Sequence, residues 1–158
     1  MVRMTSAALC VLLSIACRER PTGPGSQDGP VRIEASIGQS VLTRGDTTSL
    51  TFRLRNLGAF AVTLNFSSGC QLLPYVRDER SAAIVYPGGG GWVCTTNLSA
   101  LTLAPGAELV SSVPLYAGAS APFGSPATPL VAGSYSAFAE VVSAQQQVQS
   151  ATVGFTVR

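Results

Sequence analysis

Few side chains in this sequence can do covalent chemistry: four cysteines, at positions 10, 17, 70 and 94, and no histidine among 158 residues. A thiol can be acylated, oxidised to a disulfide or taken up by a metal, and its surroundings decide which. The absence of histidine excludes Ser-His-Asp and Cys-His nucleophilic arrangements. It also removes the commonest ligand for zinc and copper, and no Cys-x-x-Cys pair stands in for it. The acidic residues are scattered, and Asp46 and Asp78 sit among turn formers rather than in a catalytic pairing. Gly88-Gly-Gly-Gly91 runs into Trp92-Val-Cys94, without the Lys-Ser/Thr ending of a Walker loop or the helix start of a dinucleotide loop. It reads as a flexible hairpin or loop. Asn65-Phe-Ser67 and Asn97-Leu-Ser99 fit the glycosylation pattern, which is short enough to arise by chance. The expectation is a chain with no cofactor, no metal site and no enzymatic activity.

Cys17 stands at a boundary. The apolar run Ser6-AALCVLLSI-Ala16 follows Arg3, ends in small residues and meets Arg18-Glu19-Arg20 directly after the cysteine. Its eleven residues are fewer than the 18 or so that a spanning helix needs. A basic start, an apolar middle and a small-residue exit make a secretory signal. With the cysteine at the exit, Leu13-Ser14-Ile15-Ala16-Cys17 resembles a bacterial lipoprotein signal, matching at Ile15, Ala16 and Cys17 and departing at Ser14, where leucine is usual. The resemblance implies cleavage after residue 16, acylation of Cys17, and a protein exported and lipid-anchored in the cell envelope, either facing the periplasm or on the outer membrane. Two or more acyl chains anchor stably where one does so marginally. Residues 17–30, rich in Pro, Gly and Ser, then form a flexible tether, and residues 31–158 the folded domain. Ten arginines against eight acids, with no basic cluster and no acidic tail, give no sign of a nucleic-acid partner.

From Val31 onward apolar residues recur with period two. Val31, Ile33, Ala35 and Ile37 alternate with Arg32, Glu34 and Ser36; Leu50, Phe52 and Leu54 oppose Arg53 and Arg55; Val62, Leu64 and Phe66 repeat the pattern. Strands buried on one face produce this alternation. More are expected at Leu72–Asp78, Ala82–Tyr86, Leu98–Leu103, Leu109–Leu115, Ser134–Val142 and Gln149–Val157, separated by Gly, Pro and Asp turns. The pattern predicts an all-β, immunoglobulin-like antiparallel sandwich of about seven to nine strands, with a small barrel as the other closure that period two permits. Gly133-Ser-Tyr135, opening a late strand, resembles the tyrosine corner of immunoglobulin-like domains. Two residues on, where antibody domains carry a cysteine, stands Ala137.

In an exported chain whose signal removes Cys10 and whose lipid occupies Cys17, Cys70 and Cys94 are expected to pair. That bridge closes a loop of about 25 residues, worth about 3.5 kcal/mol by loop-closure entropy. The segment Ala117–Pro129, AGASAPFGSPATP, offers Pro122, Phe123 and Pro126 as a candidate binding loop, the alternative being a surface crossover between two sheets. Restricted loops lose less entropy on binding.

The succession Leu50–Asn56, Val62-Thr-Leu-Asn-Phe-Ser-Ser-Gly69, Pro74-Tyr-Val-Arg-Asp78, Leu103-Ala-Pro-Gly106 and Gly133-Ser-Tyr135 resembles the intracellular proteinase inhibitor (BsuPI) family over residues 45–142. In place of that family's Trp-rich stretch the chain has Tyr86, a glycine run and Trp92, and it adds Cys70 and Cys94. The resemblance implies a non-enzymatic protein-binding domain with a serine protease as partner, and it carries no reactive residue across. The alternative is a structural or accessory immunoglobulin-like module of an envelope complex.

Overall fold

The structure, a computed structural model, describes residues 29–88 and 91–158. Cys17 and the expected signal lie outside those residues, as does all of the expected tether except Gly29 and Pro30. The chain forms β1 (Val31–Ile37), β2 (Val41–Leu42), β3 (Thr47–Asn56), β4 (Val62–Phe66), β5 (Leu73–Asp78) and β6 (Ile84–Tyr86). It continues as β7 (Ser99–Leu103), β8 (Glu108–Ala117), β9 (Thr128–Leu130), β10 (Gly133–Val142), β11 (Gln147–Gln149) and β12 (Val153–Val157). Among the described residues eight of these strands have five residues or more, and no helix is present.

Two sheets and a ribbon organise the strands. The first sheet runs β1-β3-β8-β9, and the second β2-β12-β10-β5-β6 with β11 also on β10; β4 and β7 pair only with each other. Leu50, Phe52, Leu54, Val113 and Leu115 of the first sheet and Val76, Tyr135, Ala137, Ala139, Val141 and Phe155 of the second fill one core. These are the alternate positions that the period-two pattern assigns to one face. The sheets keep separate edges at β1, β9, β2 and β6, so the fold is a sandwich and not a barrel.

Three features depart from the expected strands. The pairing is antiparallel except at β8–β9 and β2–β12, where short parallel ladders form. The expected Gln149–Val157 strand is broken: three residues separate Gln149 from Val153, while the partner residues Glu140 and Ala137 are separated by two. The extra residue is a bulge. Ser150 holds it by donating its N–H to the Ala139 carbonyl at 2.8 Å and accepting the Ala139 N–H on Oγ at 2.9 Å. Lastly, the Ala117–Pro129 segment is not wholly irregular, since Thr128–Leu130 adds to β8. The connection therefore returns to the same sheet, and only residues 131–132 cross to the other.

Each end of the sandwich has its own closure. At the proximal end, where β1 begins, β3 finishes in a buried Asn56 whose side-chain amide donates to the carbonyls of Phe60 (2.8 Å) and Leu103 (2.9 Å) and whose Oδ1 accepts the Gly58 N–H (2.9 Å). This ties the β4–β7 ribbon to the first sheet. Asn65 ties it to the second, accepting the Ala144 N–H at 2.9 Å and donating to Gln145 Oε1 at 2.8 Å. At the distal end the Tyr135 hydroxyl donates to the Val131 carbonyl at 2.8 Å, and its ring stacks on Phe155 at 5.5 Å. This is the tyrosine corner expected from Gly133-Ser-Tyr135.

Candidate binding surfaces

Cys70 and Cys94 form the expected disulfide, with their Cα atoms 5.4 Å apart. The Gly69 N–H donates to the Thr95 carbonyl beside it, and Ser99 Oγ donates to the Ser68 carbonyl at 2.6 Å. The bridge thus sits at the base of the excursion that leaves the ribbon after β4, makes β5 and β6, and returns at β7. A bond of this kind persists in oxidising compartments such as the periplasm or the cell exterior. Beyond it, the Tyr86 and Trp92 rings meet edge to face at 5.6 Å, which packs the exit of the glycine loop.

At the distal end, Pro122, Phe123 and Pro126 fall in a ten-residue connection whose base is closed by the Gly118 N–H on the Leu130 carbonyl at 2.8 Å. Its tip is a β-turn. The Ser125 N–H donates to the Pro122 carbonyl at 2.9 Å, and Gly124, at the third position, has φ +79°. Only a residue free of a Cβ takes that conformation readily, so glycine there sets a type II turn. Phe123 occupies the turn's corner and is fully exposed. Ser125 Oγ accepts the Ala127 N–H at 3.2 Å, and Ala127 is buried, which seats the returning limb. The structure therefore places Pro122 and Phe123 in a held turn, with Pro126 directly after it.

Near the base of this connection runs an open groove of about 380 Å³, lined by Arg44, Arg158 and segments 117–119 and 130–132. Neither guanidinium has a hydrogen bond or ion pair among the described residues. Sequence reasoning missed both arginines, because β2 and β12 bring positions far apart in the chain together. The acids of this end are engaged in turns. Asp46 accepts the Thr43 N–H (2.8 Å) and hydroxyl (2.7 Å), which holds its carboxyl below the usual aspartate range. Asp78 accepts the N–H groups of Ser81 (2.9 Å) and Arg80 (2.8 Å), with the same effect. Glu79 is lowered by hydrogen bonds from Ser136 Oγ and from the Arg77 guanidinium. Each shift has a hydrogen-bond donor as its largest cause, within the turn for Asp46 and Asp78 and from β10 for Glu79. Among the described residues no cluster of three or more His, Cys, Asp or Glu could hold a metal.

At the proximal end a larger open groove of about 690 Å³ is lined by segments 65–67, 98–100 and 142–144. Leu98 is 83% exposed on its rim and Val142 about half exposed. Its sequence signal is a stretch with no charged residue from Ser81 through Ala107.

No family model matches the chain, and no curated protein matches it. Solved structures do. The CARDB domain of a Pyrococcus furiosus protein, crystallised in complex with di-metal ions, is 15% identical over 81% of this chain and 87% of its own, with a TM-score of 0.44. A solution NMR structure of that domain is 16% identical over 81% of this chain and 94% of its own, with a TM-score of 0.46. The sporulation control protein of Bacillus subtilis is 11% identical over 82% of this chain and half of its own, with a TM-score of 0.43.

Proposed function

We propose that the chain is an exported, lipid-anchored, non-enzymatic module that binds a protein through its distal end. The observation that carries this reading is Phe123, an aromatic side chain fully exposed at the corner of a turn fixed by Gly124 and the Ser125–Pro122 hydrogen bond. An aromatic anchor on a restricted turn forfeits little entropy on docking. The groove beside the base of that connection adds two guanidiniums, without partners among the described residues, that can meet a carboxylate. Cys17 supplies the anchor, and the Cys70–Cys94 bridge agrees with export. The BsuPI-like succession of turns and strands makes a serine protease the first partner to try.

The test has two arms. The protein is titrated against a panel of serine proteases, with Phe123→Ser as the control. Inhibition at micromolar excess that the substitution relieves supports the inhibitory form, and no inhibition of any protease removes it. In the second arm a photo-crosslinking residue replaces Phe123 in expressing cells. A discrete crosslinked envelope protein supports binding, and its loss in Arg44→Ala places the groove in the same interface. Absence of any adduct overturns the distal-end reading.

A further inference from the structure

The described fold begins at the proximal end. The backbone at Gly29 passes so close to the β10–β11 turn that a β-carbon there would lie 2.6 Å from Gln146 Nε2, and the Gln146 amide donates to the Val31 carbonyl at 3.2 Å. Pro30 is held beside the β3–β4 loop, its carbonyl accepting the Leu57 N–H at 2.7 Å. Gly29 and Pro30 therefore lie between the β3–β4 loop, which presents large apolar side chains, and the Ser143-Ala-Gln-Gln146 turn, which does not. The β3–β4 loop exposes Phe60 to 83% and Leu57 to about half, while the β10–β11 turn adjoins the groove rimmed by Leu98 and Val142.

The loops at this end carry no charge. Segments 57–61, 67–72, 91–98, 104–107 and 143–146 contain no Arg, Lys, Asp or Glu, and neither do the two ribbon strands. Among the described residues the nearest formal charges are Arg32, Glu140 and the Arg53–Arg55–Glu108 group, in which Glu108 meets Arg53 at 2.8 Å and Arg55 at 3.6 Å; in sequence, Asp28 directly precedes Gly29. The distal loops are the opposite, with Arg44, Asp46, Glu79, Arg80 and Arg158. Exposed apolar residues on loops that themselves carry no charge suit the headgroup–acyl boundary of a bilayer, where burial of apolar area supplies the affinity. The lack of a basic cluster removes any need for anionic lipid. Twelve residues, Cys17 to Asp28, separate the lipid-bearing position from this surface. A stretch of that many residues reaches at most about 40 Å. An anchor at Cys17 would present the proximal end to the membrane at an effective concentration in the millimolar range.

We propose that the proximal end is a membrane-seating surface, with Leu57, Phe60, Leu98 and Val142 resting in the interfacial layer of a bilayer that need carry no net charge. The proposal deepens the lipid-anchor reading and rests on it for proximity. Two outcomes of the experiment keep them apart. Full-length protein with Trp92→Phe and a single tryptophan introduced as Phe60→Trp, Leu98→Trp or Phe123→Trp is purified from a lipoprotein-processing host. Each is reconstituted with phosphatidylcholine vesicles containing brominated acyl chains. Flotation reports the anchor, and tryptophan quenching reports the face.

The expected result is co-flotation of all three, with blue-shifted, quenched emission from positions 60 and 98 and unshifted emission from position 123. Equal emission from all three positions in floating protein overturns the seating surface while leaving the anchor intact. Failure to float overturns the anchor alone. The face is then decided by adding millimolar phosphatidylcholine vesicles to the unanchored protein, where an unshifted spectrum at position 60 overturns it. A protein that keeps Trp92 and carries Phe60→Asp with Leu98→Asp guards against effects of the tryptophan exchange. It should keep its melting temperature, and without an anchor it should lose at least tenfold in vesicle affinity, with no dependence on salt. Undiminished affinity counts against the proposal.

Discussion

The two ends of this sandwich are closed by different devices and leave different surfaces in water. The proximal end is locked from inside. The Asn56 side chain, fully buried, satisfies three backbone groups, and the disulfide fastens the excursion next to the ribbon. At the distal end the Tyr135 hydroxyl fixes the corner, backbone bonds such as Gly118–Leu130 close the loop bases, and Asp46 and Asp78 are held in turns, which leaves Phe123 and two arginines exposed. A buried amide must be satisfied completely or it costs stability, whereas a corner hydroxyl near the surface can exchange its partner for water. The uncharged end thus has a buried polar lock beside a covalent one, and the end with the exposed aromatic and arginines has a lock within reach of water.

The sharpest way to break this comparison is to remove the bridge. Cys70→Ser with Cys94→Ser should cost about 3.5 kcal/mol of unfolding free energy, read from denaturant midpoints. Hydrogen exchange should quicken first in β4 and β7 and leave β9 and the start of β10 protected. A uniform loss of protection would mean that the two ends do not open separately.

Next come the two locks themselves. Asn56→Ala leaves the Leu103 carbonyl buried without its donor and should cost about 2 kcal/mol. Tyr135→Phe removes a single bond to the carbonyl of the half-exposed Val131 and should cost about 1 kcal/mol. Equal costs would erase the asymmetry.

The smallest effect is pH dependence, which on the acid side is confined to the distal end. Asp46, Asp78 and Glu79 all have carboxyls lowered in the fold by hydrogen bonds. A lowered group contributes stability that is present above its unfolded pKa, about 4, and is lost as pH falls through the folded value. Protection of the 43–46 and 78–83 turns should therefore weaken below about pH 4 while the Asn56 region is unchanged. Tyr135 acts in the other direction. Burial, with Asp78 nearby, raises its hydroxyl above the usual tyrosine value. Its contribution is full below about pH 10 and disappears as pH rises through the folded value. Acid loss at Asn56 instead would contradict the assignment of these shifts.

Much of this was legible in the residues. Period two located the long strands because one wet and one buried face is a local property of each segment. The Gly133-Ser-Tyr135 corner and the Cys70–Cys94 pair were also readable, the first from a turn glycine beside an aromatic and the second from compartment and count. Pairing partners were not. Alternation says which side chains point inward and nothing about which strand lies alongside, so the separation of β4 and β7 into their own ribbon left no trace. Strands of two and three residues, such as β2 and β9, are too short to alternate visibly. The role of Asn56 was hidden for the same reason: in sequence it is one more turn asparagine, and only the return of Leu103 beside it makes it a lock. Of the candidate surface, Phe123 was found because an aromatic among Pro, Gly and Ser stands out, while Arg44 and Arg158 gave no signal.

The pairing of β1 with β3 has a mechanical consequence. β1 enters at the proximal end and runs to the distal end, matched to β3 at seven consecutive positions from Val31–Asn56 to Ile37–Leu50. A pull on the amino-terminal side of Gly29, with the far end held by something bound there, acts along the strand axis. The hydrogen bonds are then loaded in shear, all at once, and cannot be peeled one after another. The chain is strung to bear tension in the one direction that a tethered, engaged domain would experience.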